Sequence, residues 1–282
     1  MISNELLKNI KVVVSDVDGT LLNDNGELGL ESKRLIRELI NKDVVFCLAT
    51  GRLHSAVTDL ASELSLNGYI ISLDGAVITD YKSDKTIFES FLKSGHVRKA
   101  ISIAENLLIK IVLCQKSSIY YTENNSLIPE LLSKYGASYK QVKSYEDYHQ
   151  GTLEIVCASD IKDSIKYMEE RFNFPHCIEC STSYFRSRRN ENIFYLEIRK
   201  AGSSKGKALQ RLLNHLSLKP QQAVVIGDWY NDITMFQSKA LKVAVSNAVP
   251  ELIRIADMVT KRSNNEDGVA EFLEMLLKSK RT

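Results

Sequence analysis

Val12-Val13-Val14-Ser15-Asp16-Val17-Asp18-Gly19-Thr20 sets an unbroken apolar run directly before two aspartates one residue apart. A continuous valine-rich run marks a strand buried on both faces, as in a parallel sheet. The end of such a strand is where ligands settle in α/β proteins. Two carboxylates there repel each other unless a cation or a shared proton offsets the charge, and a hard cation such as Mg²⁺ fits best. Asp-Gly is also an ordinary turn signal, so this segment alone leaves a plain turn open.

Three later segments repeat the layout. Leu48-Ala49-Thr50-Gly51-Arg52 ends a second apolar run, Val44-Val45-Phe46-Cys47, with a hydroxyl, a glycine and a cation. Gly202-Ser203-Ser204-Lys205-Gly206-Lys207 places Lys205 at the start of a helical pattern. Val224-Val225-Ile226-Gly227-Asp228-Trp229-Tyr230-Asn231-Asp232 again puts acids after an apolar strand.

The rest of the chain frames these four segments. Strands are expected at Lys11–Ser15, Val44–Ala49 and Tyr69–Ser72, alternating with helices at Glu31–Asn41 and Ser55–Leu64, which is the pattern of a parallel sheet. It breaks around Tyr81–Lys85, where a hairpin is expected between Ala76–Thr79 and Thr86–Phe88. A separate set follows, with helices near His96–Asn106, Ser126–Tyr135 and Ile161–Phe172. Its strands lie near Ile109–Leu113, Ile119–Thr122, Leu153–Ala158 and Phe194–Ile198. Alternation returns after Arg199–Ser203 with helix Lys205–Leu216, strand Ala223–Gly227, helix Asp232–Ser238, strand Lys242–Val245 and helix Val269–Lys278. The expected fold is therefore α/β: a Rossmann-like parallel-sheet core with helices on both faces, formed by residues 1–82 and 199–282, with an α/β domain inserted at 83–198. Only four prolines and no low-complexity stretch occur, so short hinges at Tyr81–Lys85 and Arg199–Ser203 should join the parts.

A chain of 282 residues is longer than one ordinary core needs. Its 37 basic and 35 acidic residues give a net charge of +2, which argues against nucleic acid as a main partner and favours a small polar ligand. No signal-type segment precedes Lys8 and no apolar run approaches the roughly 18 residues of a membrane span, so no membrane association and a cytoplasmic location are expected. Five scattered cysteines do not suggest a disulfide framework. Cys177-Ile178-Glu179-Cys180, with His176 beside it, has the spacing of half a zinc site or a redox pair, but no second ligand pair is evident in the sequence.

Taken together, Asp16-Val17-Asp18-Gly19-Thr20, Thr50-Gly51-Arg52, Lys205-Gly206 and Gly227-Asp228-Trp229-Tyr230-Asn231-Asp232 resemble the four motifs of the haloacid-dehalogenase phosphatase superfamily. Within it the chain is similar to the Cof-type, sugar-phosphatase-like branch, which carries a large α/β cap. Val243-Ala244-Val245-Ser246-Asn247-Ala248 and Glu266-Asp267-Gly268-Val269-Ala270 look like that branch as well. The resemblance covers both ends of the chain, and the middle matches by length and coarse pattern. Two departures stand out. Trp229 and Tyr230 fill positions that are commonly small or polar, and Asp74-Gly75-Ala76 stands where Asn-Gly-Ala is usual, adding a negative charge.

The resemblance implies a Mg²⁺-dependent phosphatase acting on small-molecule phosphate esters, sugar phosphates above all, as a monomer or weak homodimer. Asp16 would be the nucleophile and would pass through an aspartyl-phosphate, and Asp18 would move the proton and lend its backbone carbonyl to the metal. Thr50, Gly51, Lys205 and Asn231 would hold phosphate oxygens, with Lys205 also keeping Asp16 ionised. A lysine at a helix start is electrostatically awkward unless an anion is nearby, which favours that role over a solvated one. Asp228 would be a further metal ligand, while Asp232 would either complete the metal shell or anchor Lys205. Arg52 would orient the leaving group or form a structural ion pair. Tyr184-Phe185-Arg186-Ser187-Arg188-Arg189 would be a solvated basic edge or a grip on substrate. A phosphomutase acting on sugar phosphates, or a non-catalytic phosphometabolite-binding regulator, stand as the other function classes.

Overall fold

The computed structural model describes residues 2–125, 138–187 and 192–281. These residues gather into two compact units, Met1–Gly51 with Thr58–Ile87 and Ser204–Thr282, and Arg52–Val57 with Phe88–Ser203.

The first unit is built on the valine run. β1 (Val12–Ser15) is buried along its whole length and lies between two parallel neighbours, β2 (Val45–Ala49) and β12 (Ala223–Gly227). Val12 is in register with Val45 on one side and Ala223 on the other. Outward from β2 come β3 (Tyr69–Ser72), β4 (Val77–Asp80) and β5 (Thr86–Glu89). Outward from β12 come β13 (Leu241–Ala244) and β14 (Met258–Val259), giving the order β14-β13-β12-β1-β2-β3-β4-β5. All pairs from β14 to β3 are parallel, and β3–β4 is antiparallel. The chain steps one way from β1 to β3 and returns on the opposite side at β12. The β1/β12 boundary is thus a topological switch point, where loops at the carboxyl ends diverge and leave a crevice.

Amphipathic helices cover this sheet. Leu30–Ile40 buries Leu35, Ile36 and Leu39, Lys205–His215 buries Ala208, Leu209, Leu212 and Leu213, and Val269–Arg281 buries Phe272, Leu273, Leu276 and Leu277. Helix Leu30–Ile40 begins at Gly29, which has no side chain to cap it. Asp267 supplies the cap from far along the sequence, its Oδ2 accepting from Glu31 N and Ser32 N, each at 3.0 Å.

The second unit holds a six-stranded sheet of order β10-β11-β9-β6-β7-β8, with β6 Lys110–Cys114, β7 Ser118–Tyr121, β8 Ser138–Gln141, β9 Glu154–Ser159, β10 Cys180–Arg186 and β11 Phe194–Lys200. Only β7–β8 is parallel; every other pair is antiparallel. Helices Ser94–Asn106 and Lys162–Phe172 bury Val97, Ala100, Ala104, Ile165, Met168 and Phe172 into a core shared with Ile111, Ile155 and Leu196.

Most expected elements appear within a residue or two of their bounds. Helix Asn4–Asn9, β8, β10, helix Pro250–Ile255 and β14 are additional. β14 is two residues long, and β10 is an edge strand rich in Ser and Thr, so neither carries a strong apolar signature. The expected helix at Ser126–Tyr135 lies outside the described residues, as do Arg188 and Arg189. Residues 184–186 form the end of β10, where the Arg186 guanidinium lies 5.8 Å from the Phe194 ring centre. From sequence, the crossings were expected at Tyr81–Lys85 and Arg199–Ser203. Tyr81–Lys85 is the tip of the β4–β5 hairpin, closed by Asp80 N donating to Lys85 O at 2.9 Å, and the chain passes between the units at 51/52, 57/58, 87/88 and 203/204.

One charged cluster is buried in the second sheet. Arg199 on β11 forms ion pairs with Glu154 on β9 and with Glu197, and donates to Ser183 Oγ at 3.2 Å. Removing the cation would leave two carboxylates in an interior that cannot solvate them. Arg199→Met should therefore destabilise the protein by about 3–5 kcal/mol, and Arg199→Met with Glu154→Leu and Glu197→Leu should recover most of the loss. Thermal unfolding of the full chain followed by circular dichroism checks this; a neutral Arg199→Met would contradict it.

Candidate active site

The parallel strands of the first unit end on one side of the sheet, and four segments singled out by sequence meet there. Asp16 follows β1 directly and its N–H donates to Ile226 O of β12 at 2.9 Å, which continues the sheet bonding through the residue. Its side chain is buried beside the ammonium of Lys205, the first residue of helix Lys205–His215. Lys205 is fully buried, forming an ion pair with Asp16 and another with Asp232 Oδ1 at 2.7 Å. Ser204 caps the helix by accepting from Lys207 N at 3.2 Å, so its start is fixed independently of the lysine side chain.

Asp232 engages both of its oxygens. Oδ1 meets Lys205, and Oδ2 accepts from Asp228 N at 3.0 Å and Trp229 N at 3.1 Å, which closes the turn after β12. Asp232 thus pairs with Lys205 through one oxygen and with its own loop through the other. Asp228 is buried, and its Oδ1 accepts from Thr20 Oγ1 at 2.7 Å. Gly19 is needed at this contact: its φ is +78°, and a Cβ there would meet Asp228 Oδ2 at 2.6 Å. Asn247 Nδ2 donates to Gly19 O at 2.7 Å and holds the loop from its other side.

Asp18, two residues past Asp16, is solvent-exposed. Thr50 is buried after β2; its backbone donates to Ile71 O at 2.8 Å and accepts from Asp74 N at 3.0 Å. Asp74 occupies the left-handed region at φ +48°, which Asp and Asn tolerate better than other residues with a side chain. A Cβ on Gly51 would lie 3.5 Å from Asp74 Oδ1, so Asp74 sits against the Thr50–Gly51 loop. Asn231 Nδ2 donates to Asp74 Oδ1 at 2.9 Å, which ties the fourth segment to the turn after β3. Arg52 groups with the second unit. Thr20 and Asn247 were not among the expected site residues. Each lay in a quoted motif, but its partner is more than 200 residues away.

One carboxylate oxygen from each of Asp16, Asp228 and Asp232 lies within 4.8 Å of the others. Burial pushes the Asp16 carboxyl well above its ordinary range; Lys205 opposes this, while Asp232 and Asp228 reinforce it. Burial and the charge of Asp232 push Asp228 up to about 6, against the Thr20 hydrogen bond. Burial acts to lower the Lys205 pKa, but the carboxylates of Asp16, Asp232 and Asp74 outweigh it and hold the ammonium charged. Three carboxylates around one ammonium leave an excess of negative charge in a dry site. An all-oxygen, acidic donor set of this kind fits a hard divalent cation.

The haloacid dehalogenase-like hydrolase family profile matches residues 13–273. The phosphatase YwpJ of Bacillus subtilis is 28% identical over 295 residues, covering 95% of this chain and 100% of that protein. The 5-amino-6-(5-phospho-D-ribitylamino)uracil phosphatase YwtE of the same organism is 26% identical, covering 95% and 98%. Among solved structures, a haloacid dehalogenase-like hydrolase from Bacteroides thetaiotaomicron superposes with a TM-score of 0.83 at 23% identity, covering 94% of this chain and 98% of that one. The chain belongs to the haloacid dehalogenase-like hydrolase family, in its Cof-type branch, and is a phosphatase.

The raised Asp228 pKa has a consequence for stability. With divalent cations removed, the protonated form stabilises the fold fully below the ordinary value of 3.8, and this contribution is lost as pH rises through about 6. The difference is on the order of 3 kcal/mol. Asp228→Asn should thus melt at a higher temperature than the parent in chelator at pH 8, with the advantage vanishing toward pH 4. Differential scanning calorimetry across that range checks it; an equal penalty at both pH values would contradict it.

Proposed function

We propose that this phosphatase is Mg²⁺-dependent and hydrolyses small phosphorylated metabolites, sugar phosphates foremost, with Asp16 as the phosphoryl carrier. The observation that carries the proposal is the buried Asp16 carboxylate at the end of the central strand, fixed by Lys205 and grouped with Asp228 and Asp232.

Mg²⁺ would be held by the Asp16 and Asp228 side chains and the Asp18 carbonyl, where it would neutralise the carboxylates and polarise a phosphate oxygen. The protein does the rest. Lys205 opposes the burial that raises the Asp16 pKa and fixes its side chain, so attack on phosphorus needs no rearrangement of the nucleophile. Covalent transfer to Asp16 splits one difficult displacement into two, with an aspartyl-phosphate between them. Asp18, open to solvent, gives a proton to the leaving oxygen and then takes one from the attacking water. The Thr50 hydroxyl and Gly51 N–H supply fixed donors for the equatorial oxygens, and Asn231 is oriented beside them through Asp74. Asp232 acts as anchor of Lys205.

In this proposal the second unit determines substrate specificity. The relative that acts on 5-amino-6-(5-phospho-D-ribitylamino)uracil supports a phosphorylated polyol or sugar as the substrate class. Trp229 and Tyr230, both partly exposed with ring centres 5.1 Å apart, add an aromatic surface beside Asp228.

Screening phosphorylated metabolites for phosphate release, with and without Mg²⁺, tests the substrate class and the metal together. Release from sugar phosphates that depends on Mg²⁺ is expected, and metal-independent turnover would contradict the proposal. Asp16→Asn should keep the fold and lower kcat by about 10⁴-fold or more, because an amide cannot form the acyl phosphate. Asp18→Asn should cost about 10²–10⁴-fold on a sugar phosphate and much less on an activated aryl phosphate, whose leaving group needs little protonation. Equal losses on the two substrates would remove Asp18 from the proton-transfer role.

A further inference from the structure

The second unit brings together a cluster that the phosphatase chemistry does not use. Cys177 and Cys180 flank the entrance to β10, and both thiols are buried. Helix Ser94–Asn106 presents His96 to them, with Cys180 Sγ 3.5 Å from Nδ1 and Cys177 Sγ 3.8 Å from Nε2. One ligand atom from each of the three residues lies within 4.8 Å of the others. Sequence pointed to His176 as the neighbour of this pair, but His176 Nε2 faces Glu170 Oε1 at 3.4 Å. The histidine that joins the cysteines is 81 residues upstream of the first of them.

We propose that Cys177, Cys180 and His96 are ligands of a zinc ion, with a solvent molecule as the fourth. Zinc–sulfur bonds of about 2.3 Å and zinc–nitrogen bonds of about 2.0–2.1 Å in a tetrahedron place sulfur and nitrogen about 3.5 Å apart. The observed separations are at or just above that edge length, so an ion can be accommodated with small side-chain adjustments and one imidazole nitrogen turned to it. Two thiolates and an imidazole are a soft donor set, unlike the all-oxygen aspartate cluster, and favour zinc over magnesium.

Glu179 lies between the two cysteines in sequence, and its Oε2 is 3.5 Å from His96 Nε2. Its other oxygen pairs with Lys93. Two thiolates balance the charge of Zn²⁺, and the Glu179 carboxylate, paired with Lys93, stands beside the His96 ring. The His96 and Glu179 side chains are partly exposed, which leaves the ion a route in from solvent. The segment before β10 is held in place by Cys177 N donating to Asn173 O at 2.9 Å, so the cysteines are positioned by the backbone. Zinc here would clip helix Ser94–Asn106 to the start of β10 and constrain the long chain segment between them. The proposal stands independently of the phosphatase reading.

The test is zinc content and cobalt substitution of the full-length protein, purified without chelator and dialysed against Mg²⁺. One zinc per chain is expected, and Co²⁺ should give sulfur-to-metal charge-transfer bands with the intense visible bands of a tetrahedral site. Cys177→Ser with Cys180→Ser should abolish both, His96→Gln should weaken zinc affinity by at least 10-fold, and Asp228→Asn should retain the zinc. A zinc-selective chelator, with Mg²⁺ kept in excess, should lower the melting temperature of the parent and leave that of the double-serine variant unchanged. Three results would overturn the proposal. They are no zinc retained and no cobalt bands in the parent, zinc that survives loss of both cysteines, and a Cys177–Cys180 disulfide found by mass in freshly purified protein. The parent's cobalt spectrum decides even if a variant does not fold.

Discussion

A single buried ammonium organises the catalytic end of the first unit. Lys205 has no exposure to solvent, and burying a charge is costly unless it is paired. Asp16 at the end of β1 and Asp232 after β12 supply the pairing from two neighbouring parallel strands. The lysine thus links the two strands that flank the switch point to the helix that follows the second crossing of the chain. Its position also explains why Asp232 turns its second oxygen back to its own loop: the carboxylate is fixed at both ends, so the ammonium aimed at Asp16 cannot drift.

The same charge distribution sets the chemistry. Burial, reinforced by the neighbouring carboxylates and opposed by the Lys205 ammonium, raises the pKa of Asp16 and Asp228, and the acidic donor set that results fits a divalent cation. The glycine at position 19 allows the β1 loop to approach Asp228 where any side chain would collide. Thr20 then binds the carboxylate from that loop, and Asn247 binds the loop's backbone. Asp74, at the turn after β3, reaches the same region through Asn231. Every strand end from β3 to β12 therefore contributes a fixed polar group, which is the condition for stabilising charge that develops in a transition state without reorganisation.

The core sheet was legible because buried parallel strands read as plain apolar runs: Val12–Val14, Val44–Cys47 and Val224–Ile226 could not be mistaken for surface. The acids that follow them marked the site. Long-range partners were not legible, since nothing local to Thr20 names Asp228 and nothing local to Cys177 names His96. The elements missed were those whose apolar content is low or whose length is short, β10 with its Ser/Thr alternation and the two-residue β14. Asp74 was noticed as an added charge, but its hydrogen bond to Asn231 is a fact of tertiary packing alone.

The central claim is that Asp16, held by Lys205, carries the phosphoryl group between substrate and water. Hydrolysis of a phosphate monoester made chiral at phosphorus with oxygen isotopes, in isotopically labelled water, tests it most directly. Two successive in-line displacements through a phosphorylated carboxylate predict retention of configuration in the released phosphate. Inversion, the signature of a single direct attack by water, would contradict the account.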